Sequence, residues 1–258
     1  MNSRNPIVRR NDLLTLLRQK PLHGIDEIKR QINGSSATLH RDLNILQEEG
    51  HIRKSYGCIE VLSEKVVLNY QKRTDQNIEL KKAIAIKAAT LVQPGDSLFL
   101  DASSTSYFFA TELLRLKPEK LTIVSNSIPL LSLFKQPQSS IKFISTGGAL
   151  DVEIEAFLGY VASDCIHRLH FTKAFVSGAG FSLQSGLTTS HESLLGILKT
   201  AIKSARQTFC LVDSSKYDLK SLFKVESLEK FSAVITNHDL APEKAGELQK
   251  AGINLELA

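Results

Sequence analysis

Two groups of residues in this chain carry chemistry by their type and spacing. The first is Ser36, Ala37, Thr38, His40, Arg41 and Asn44. These are small, hydrogen-bonding or cationic side chains, the types that reach base edges and phosphates in the major groove of DNA. Arg53 and Lys54 follow and are placed to touch a phosphate backbone. The second group is a series of polar clusters: Asp101-Ala102-Ser103-Ser104-Thr105-Ser106, Ser125-Asn126-Ser127, Thr146-Gly147-Gly148, Ser177-Gly178-Ala179-Gly180 and Asp213-Ser214-Ser215-Lys216. Hydroxyls ahead of a helix N-terminus suit a phosphate or sulfate. Glycines let backbone approach a ligand, and Lys216 offers a cation beside hydroxyls. One such cluster is an ordinary turn or helix cap. Five of them call for an architecture that gathers them.

The first group needs a helix, and the sequence supplies one. Leu39, Leu43 and Leu46 form an apolar stripe from about Ser35 to Glu49, with Ser35 or Ser36 as cap and Gly50 as stop. Before it, Ile7, Leu13, Leu14, Leu16 and Leu17 recur at near-helical spacing, and Pro21 and Gly24 end that helix. Ile25, Ile28 and Ile32 mark a second, Asp26–Ile32, closed by an Asn33-Gly34 turn. After Gly50, Ile52-Arg53-Lys54 and Cys58-Ile59-Glu60-Val61 read as two strands of a wing around Ser55-Tyr56-Gly57. Asp42 is acidic on the reading helix, so it is expected to pair with a basic residue and not to face DNA.

The strand-end clusters need a sheet. From Ser97 the chain alternates β-rich runs (Ser97–Leu100, Leu121–Val124, Ile141–Ser145, Lys173–Val176, Thr208–Val212, Ala233–Thr236, Asn254–Leu257) with helices. The expected helices are Ser106–Leu116, Ile128–Phe134, Phe157–Ile166, Glu192–Ser204 and Pro242–Ala251. Repeated strand–helix units imply a mostly parallel sheet covered on both faces. Ligands of such sheets collect beyond the carboxyl ends of the strands, where the polar clusters fall. The expected fold class is therefore α/β: an N-terminal winged helix-turn-helix over 1–62, a linker over 63–78, and a larger α/β domain over 79–258.

Charge and composition narrow the partners. The chain has 258 residues, 42% hydrophobic and 23% charged, with a net charge of +5. Residues 1–82 hold 15 Lys or Arg against 10 Asp or Glu, an excess of 15 − 10 = +5, and the remaining residues hold 17 of each. The excess positive charge lies in the first third, where it would attract a polyanion. The apolar runs are far shorter than a bilayer span, and Met-Asn-Ser-Arg-Asn-Pro lacks the apolar core of a signal peptide. Cys58, Cys165 and Cys210 are scattered, odd in number and not at metal-ligand spacing. A cytoplasmic protein without metal or cofactor is expected.

Ser36-Ala37-Thr38-Leu39-His40-Arg41-Asp42-Leu43, then Leu46-Gln47-Glu48-Glu49-Gly50 and Arg53-Lys54-Ser55-Tyr56-Gly57, resembles the helix-turn-helix signature of the DeoR family of bacterial regulators. The departures are His40, where that family usually has Arg, and Cys58, where a second Gly is usual. The resemblance continues through 63–82, where an Arg, an Asn and a Lys at this spacing are usual. It runs on through Asp101–Thr105, Ser125-Asn126-Ser127, Gly147-Gly148, Gly186-Leu187-Thr188-Thr189 and Asp213-Ser214-Ser215-Lys216-Tyr217. It implies a sensor fold related to ribose-5-phosphate isomerase and glucosamine-6-phosphate deaminase, with a phosphorylated sugar as effector. By that analogy phosphate belongs near Ser103, Ser104, Thr105 and Lys216. Sugar hydroxyls belong near Asp101, Asn126, Gly147 and Gly148, and Ser127, Ser177 and Gly178 are counted with the effector-binding residues.

The rival reading is a sugar-phosphate isomerase carrying an accessory helix-turn-helix. Isomerisation needs a placed base and a second acid. Many relatives have Gly-Ala-Asp-Gly-Ile-Asp where this chain has Ser177-Gly178-Ala179-Gly180-Phe181-Ser182, so both carboxylates are missing and binding without turnover fits better. His191 could line the pocket but reads first as a solvated helix-start histidine. The expected protein is a DNA-binding regulator, a repressor of a carbohydrate operon. As a homodimer or homotetramer it would place recognition helices on half-sites about 34–36 Å apart.

Overall fold

The computed structural model describes residues 9–10, 13, 16–17, 22–25, 28–29, 36–48, 52–55, 58–61, 70–135 and 141–258. Backbone contacts divide the chain into two units, Met1–Val67 and Leu68–Ala258.

In the first unit the reading helix spans Ser36–Glu48. Its stripe Leu39, Leu43 and Leu46 is buried against Leu13, Leu17, Ile28, Ile52 and Ile59, so side chains from each expected helix and from the wing share one small core. Strands β1 (Leu22–Gly24), β2 (Ile52–Ser55) and β3 (Cys58–Val61) form an antiparallel sheet in the order β1-β3-β2. The wing is thus three-stranded, with His23 opposite Ile59. The sequence reading used Pro21–Gly24 only as a helix stop. Three residues are too few for an alternating pattern to show, and their pairing partner lies far along the chain. The proposed Asn33-Gly34 turn, the Ser35 cap and the Gly50 stop lie outside the described residues.

The second unit is built on β4 (Ser97–Leu100), β5 (Thr122–Ser125), β6 (Lys142–Ser145), β9 (Phe171–Val176), β12 (Ala205–Leu211), β14 (Ala233–Thr236) and β15 (Leu255–Leu257). They form one seven-stranded sheet ordered β15-β14-β12-β9-β4-β5-β6, with every pairing parallel. Both faces are buried, which is why these strands read as continuous apolar runs. Leu98, Leu100, Phe175, Phe209 and Leu211 join the helices Ile78–Ala89 and Ser104–Leu116 on one face. Phe99, Ala174, Val176, Cys210 and Val212 join the helices Gly159–His167, Glu192–Lys203 and Pro242–Lys250 on the other. On the first face Phe175 stacks on Phe209 with centroids 4.9 Å apart and meets Phe109 in a tilted contact at 4.6 Å.

Short elements between the parallel strands depart from the sequence reading. The helix expected over Phe157–Ile166 begins at Gly159, because Ala156–Leu158 is a strand, β8, paired with β7 (Ala149–Asp151). A second small sheet of β10 (Gly180–Ser182), β11 (Gly186–Thr189) and β13 (Phe223–Glu226) was not foreseen. The helix after β4 starts at Ser104, two residues early, with Ser103 as its cap. The stretch 63–78, read as a linker or connecting helix, contains a helix, Tyr70–Asp75, inside the second unit. No helix among the described residues is long and apolar enough to cross a membrane.

Candidate functional site

On the reading helix, Ser36, Ala37, His40, Arg41 and Asn44 are exposed and Thr38 is half-buried, opposite the buried leucines. Spacings of one, four, five and eight residues put the exposed five on one face. Asn44 accepts from the Lys54 ammonium, which ties the helix to the wing. Arg53 lies on β2, but its side chain is outside the described part of the structure. Asp42 is 2% exposed and takes Arg9 in a two-point ion pair, Nε to Oδ2 at 2.6 Å and Nη2 to Oδ1 at 3.0 Å. The acidic residue therefore faces its own unit, as its type on that helix suggested.

In the second unit, chain order fixes where a crevice must open. From β4 the chain steps outward to β5 and β6, then returns to β9 on the other flank of β4 and continues outward to β12, β14 and β15. The helices that follow β4 and β9 pack on opposite faces of the sheet, and the carboxyl ends flanking such a switch point are where ligands of these sheets collect. Asp101 follows β4 and Ser177 follows β9, and the two meet there. Asp101 Oδ2 accepts from Ser177 N at 2.8 Å. Asp101 Oδ1 accepts from Ser103 N at 3.2 Å, from Ser103 Oγ at 2.6 Å and from Ser106 Oγ. With its oxygens so occupied, Asp101 shapes the loop, whereas the sequence reading had it meet sugar hydroxyls.

Around this point several polar atoms are sealed from solvent and have no hydrogen-bond partner among the described residues: Thr105 Oγ1, Asn126 Oδ1, Ser177 Oγ, Asp213 Oδ2, and Nε and Nη2 of Arg73. Buried polar groups are almost always paired, so unpaired ones gathered at one sheet edge need an explanation. Asn126 is held by donation from Nδ2 to Phe157 O at 3.1 Å, leaving its carbonyl oxygen spare. Ser127 caps the next helix, accepting from Leu130 N. Lys216 donates to Gly178 O at 2.9 Å and stands 3.7 Å from Asp213 Oδ2. Two glycines serve packing, a use the ligand-approach reading did not anticipate. A Cβ on Gly148 would lie 2.6 Å from Leu158 O, and one on Gly178 would lie 2.6 Å from Thr188 O. Gly147 has φ +62 and open space.

Three residues here were not chosen from the sequence. Arg73, on the helix Tyr70–Asp75, lies within electrostatic reach of Asp101, Glu155 and Tyr70, and burial lowers its pKa. Asn77 donates to Asp213 Oδ1 at 3.2 Å and to Ser215 Oγ at 2.9 Å. Lys81 is 3% exposed, and its ammonium donates to the carbonyls of Arg73 and Gln76. The signal was the family resemblance through this stretch, where an Arg, an Asn and a Lys at this spacing are usual. His191, set aside as a solvated helix start, is half-buried. Burial first, and then the Arg73 charge, lower its pKa. Among the described residues no group of three or more His, Cys, Asp or Glu is placed to hold a metal ion.

Burial, together with the nearby charges of Lys216 and Arg73, pushes the Lys81 ammonium down from 10.5 to about 8, against the pull of Asp213 and Asp75. The folded chain thus releases this proton before the unfolded one does. Between about pH 8 and 10 the unfolded chain binds more protons, so this group makes stability rise with pH across that window. Urea unfolding of the wild type minus that of Lys81→Met should show the rise. A difference that is flat from pH 8 to 10 would count against the buried cationic cluster.

A helix-turn-helix unit with an exposed polar face, followed by a doubly wound α/β unit with a cationic crevice, defines a two-unit DNA-binding regulator with a small-molecule sensor. The chain belongs to the DeoR family: residues 9–65 match the DeoR-like helix-turn-helix domain and residues 76–238 the DeoR C terminal sensor domain. It is similar to the HTH-type transcriptional regulator GolR of Listeria innocua, 29% identical over 98% of this chain and 99% of that one. It is also similar to the lactose phosphotransferase system repressor of Lactococcus lactis (28% identical, 88% and 89% covered) and the L-fucose operon activator of Haemophilus influenzae (27%, 93% and 93%). Among solved structures, ribose 5-phosphate isomerase A of Methanocaldococcus jannaschii aligns at TM-score 0.41 and 19% identity over 55% of each chain.

Proposed function

We propose that this chain is a cytoplasmic homo-oligomeric repressor of a carbohydrate operon, released from its operator by a phosphorylated sugar held in the crevice beyond β4 and β9. The observation that carries this reading is the convergence of unpaired buried polar atoms with Lys216, Lys81 and Arg73 at the switch point of the sheet. The amides opening the helix Ser104–Leu116, the Thr105 hydroxyl and Lys216 suit a phosphate. The spare oxygens of Asn126 and Ser177 suit sugar hydroxyls. Relatives are named for lactose and fucose systems, one as a repressor and one as an activator. DNA contact is assigned to Ser36, Ala37, Thr38, His40, Arg41 and Asn44, with Arg53 and Lys54 on the wing. Two recognition helices of a dimer would then read two half-sites.

Binding without turnover is preferred. Ala179 and Ser182 bring no carboxylate to the strand end, and the Asp101 oxygens are committed to the loop. Thermal shift with a panel of sugar phosphates and the matching free sugars tests the reading, because a ligand of the native state raises its melting temperature. Phosphorylated members should stabilise the wild type, and Lys216→Met should lose much of that gain. Equal shifts from phosphorylated and free sugars would remove the phosphate assignment. Isomerised product in the same mixtures would overturn the regulator-only reading.

A further inference from the structure

Lys54 reaches the reading helix by strand geometry. Successive side chains of a strand alternate between its faces, so Lys54 shares a face of β2 with Ile52. Ile52 is buried in the core under Leu39, Leu43 and Leu46. Lys54 lies two residues further along the strand, half-buried and opposite Ile59. Its stem is thereby carried to the helix Ser36–Glu48, where its ammonium donates to Asn44 Oδ1. An ammonium has donors only, so the amide oxygen and not the nitrogen is the atom that meets it.

Asn44 follows His40 by four residues and Arg41 by three, on the exposed face of the helix. The bond to Lys54 changes what this side chain can offer a base. Asparagine reads adenine in the major groove with both ends of its amide, the oxygen to the N6 amino group and the nitrogen to N7. Here a positive charge sits on the oxygen. That oxygen keeps a second lone pair, but an amino group brought to it would set its positive hydrogens against the ammonium. Guanine presents O6 and N7 along the same edge, two acceptors and no donor. The amide nitrogen of Asn44 and the ammonium beside it match that edge in kind.

We propose that Asn44 and Lys54 form one reading unit that selects guanine in the major groove, the wing lysine setting the polarity of the helix amide. The unit rests on the assignment of this helix face to DNA and names the base that Asn44 reads. Lys54 then serves sequence selection, in place of the phosphate contact that its position on the wing suggested.

Full-length wild type selected against duplexes with a randomised stretch yields a preferred site, which is then varied base by base in anisotropy titrations. Comparison with Asn44→Ala identifies the position that Asn44 reads. There the wild type should require guanine, with about a tenfold loss of affinity when adenine replaces it. Lys54→Met should lose the same discrimination, and the double variant should lose no more than either single one. Asn44→Asp keeps an acceptor for Lys54 but turns the amide donors into acceptors. It should lose the guanine preference while melting no lower than wild type. 7-Deazaguanine, which lacks the N7 acceptor, should weaken the wild type at that position and leave Asn44→Ala unaffected. Adenine at that position overturns the proposal, as does a guanine preference that survives in Asn44→Asp. An Asn44→Ala variant that keeps every preference removes Asn44 as a reader while the rest of the face stands. Lys54→Met with full discrimination and a salt slope reduced by about one returns Lys54 to the phosphate backbone and overturns the pairing. A wild type that binds every duplex alike removes base reading by this helix face, and the guanine assignment with it.

Discussion

Replacing Asp101 by alanine is expected to lower the unfolding free energy of the sensor unit by about 3 kcal/mol or more and to abolish phosphate binding in the crevice. The side chain is 4% exposed and accepts four hydrogen bonds, from Ser103 N, Ser103 Oγ, Ser106 Oγ and Ser177 N. Truncation leaves the Ser177 N–H and the Ser106 hydroxyl buried without an acceptor, and each orphaned donor carries its own desolvation cost. The loop between β4 and its helix then keeps its backbone bond to Phe175 O but loses the side-chain tie to Ser177, so the helix-opening amides and the Thr105 hydroxyl lose their aim. Asp101→Asn is the sharper probe. Its size is kept, but one amide hydrogen must confront a donor, and a loss of about 1–3 kcal/mol is expected. Ser103→Ala removes a helix cap, which typically costs about 1 kcal/mol, and one of the four donors to Asp101. Urea unfolding and phosphate titration of the three variants give the order. An Asp101→Asn variant with wild-type stability and full phosphate affinity would dismiss the loop-holding role.

Asp42→Ala is expected to cost most of the affinity for DNA while the sensor's response to a sugar phosphate persists. The carboxylate is buried under the reading helix, and it is the anchor of Arg9 from the first helical segment. Without it the helix keeps its leucine stripe but loses the bond that fixes its rotation against the rest of the unit. Arg41→Ala makes the contrasting loss. Arg41 is exposed, so its removal should weaken DNA binding and reduce the salt slope by about one without lowering stability. The exchanged pair Arg9→Asp with Asp42→Arg should regain part of what Asp42→Ala loses, since the interaction is a coupling of two neighbours. Fluorescence anisotropy with duplex DNA, alongside thermal melting, reads all three. Asp42→Ala that binds DNA as tightly as wild type would remove the ion pair from the account.

Much of this was readable in one dimension because the relevant forces act along it. Leu39, Leu43 and Leu46 recur at helical spacing, so the buried face of the reading helix and its exposed opposite followed together. The sheet strands announced themselves as apolar runs because both faces are covered. Six short strands outside the parallel sheet did not: β1, β7, β8, β10, β11 and β13 lack the doubly covered apolar run that marked strands of the same length within it. β1 and β13 are paired by partners distant in sequence, β3 and β11. Gly148 and Gly178 illustrate the same limit. Their type signalled a close approach, but only the fold shows that Leu158 and Thr188 are what approach them.

The sequence by itself determined the two-unit plan, the polarity of the reading helix and the series of polar strand ends, since each depends on neighbours a few residues apart. It also indicated that Asp42 faces inward, but not toward which base. The tertiary structure decided that Arg9 is that base, and that Asp101 spends its oxygens on the loop. It also decided that Arg73 and Asn77, from the stretch read as a linker or connecting helix, and Lys81 just after it, meet the loop after β12. Strand order is responsible: the chain leaves β4 in one direction and returns to its other side. Residues far apart in sequence thereby share one sheet edge, a closeness that no local pattern encodes.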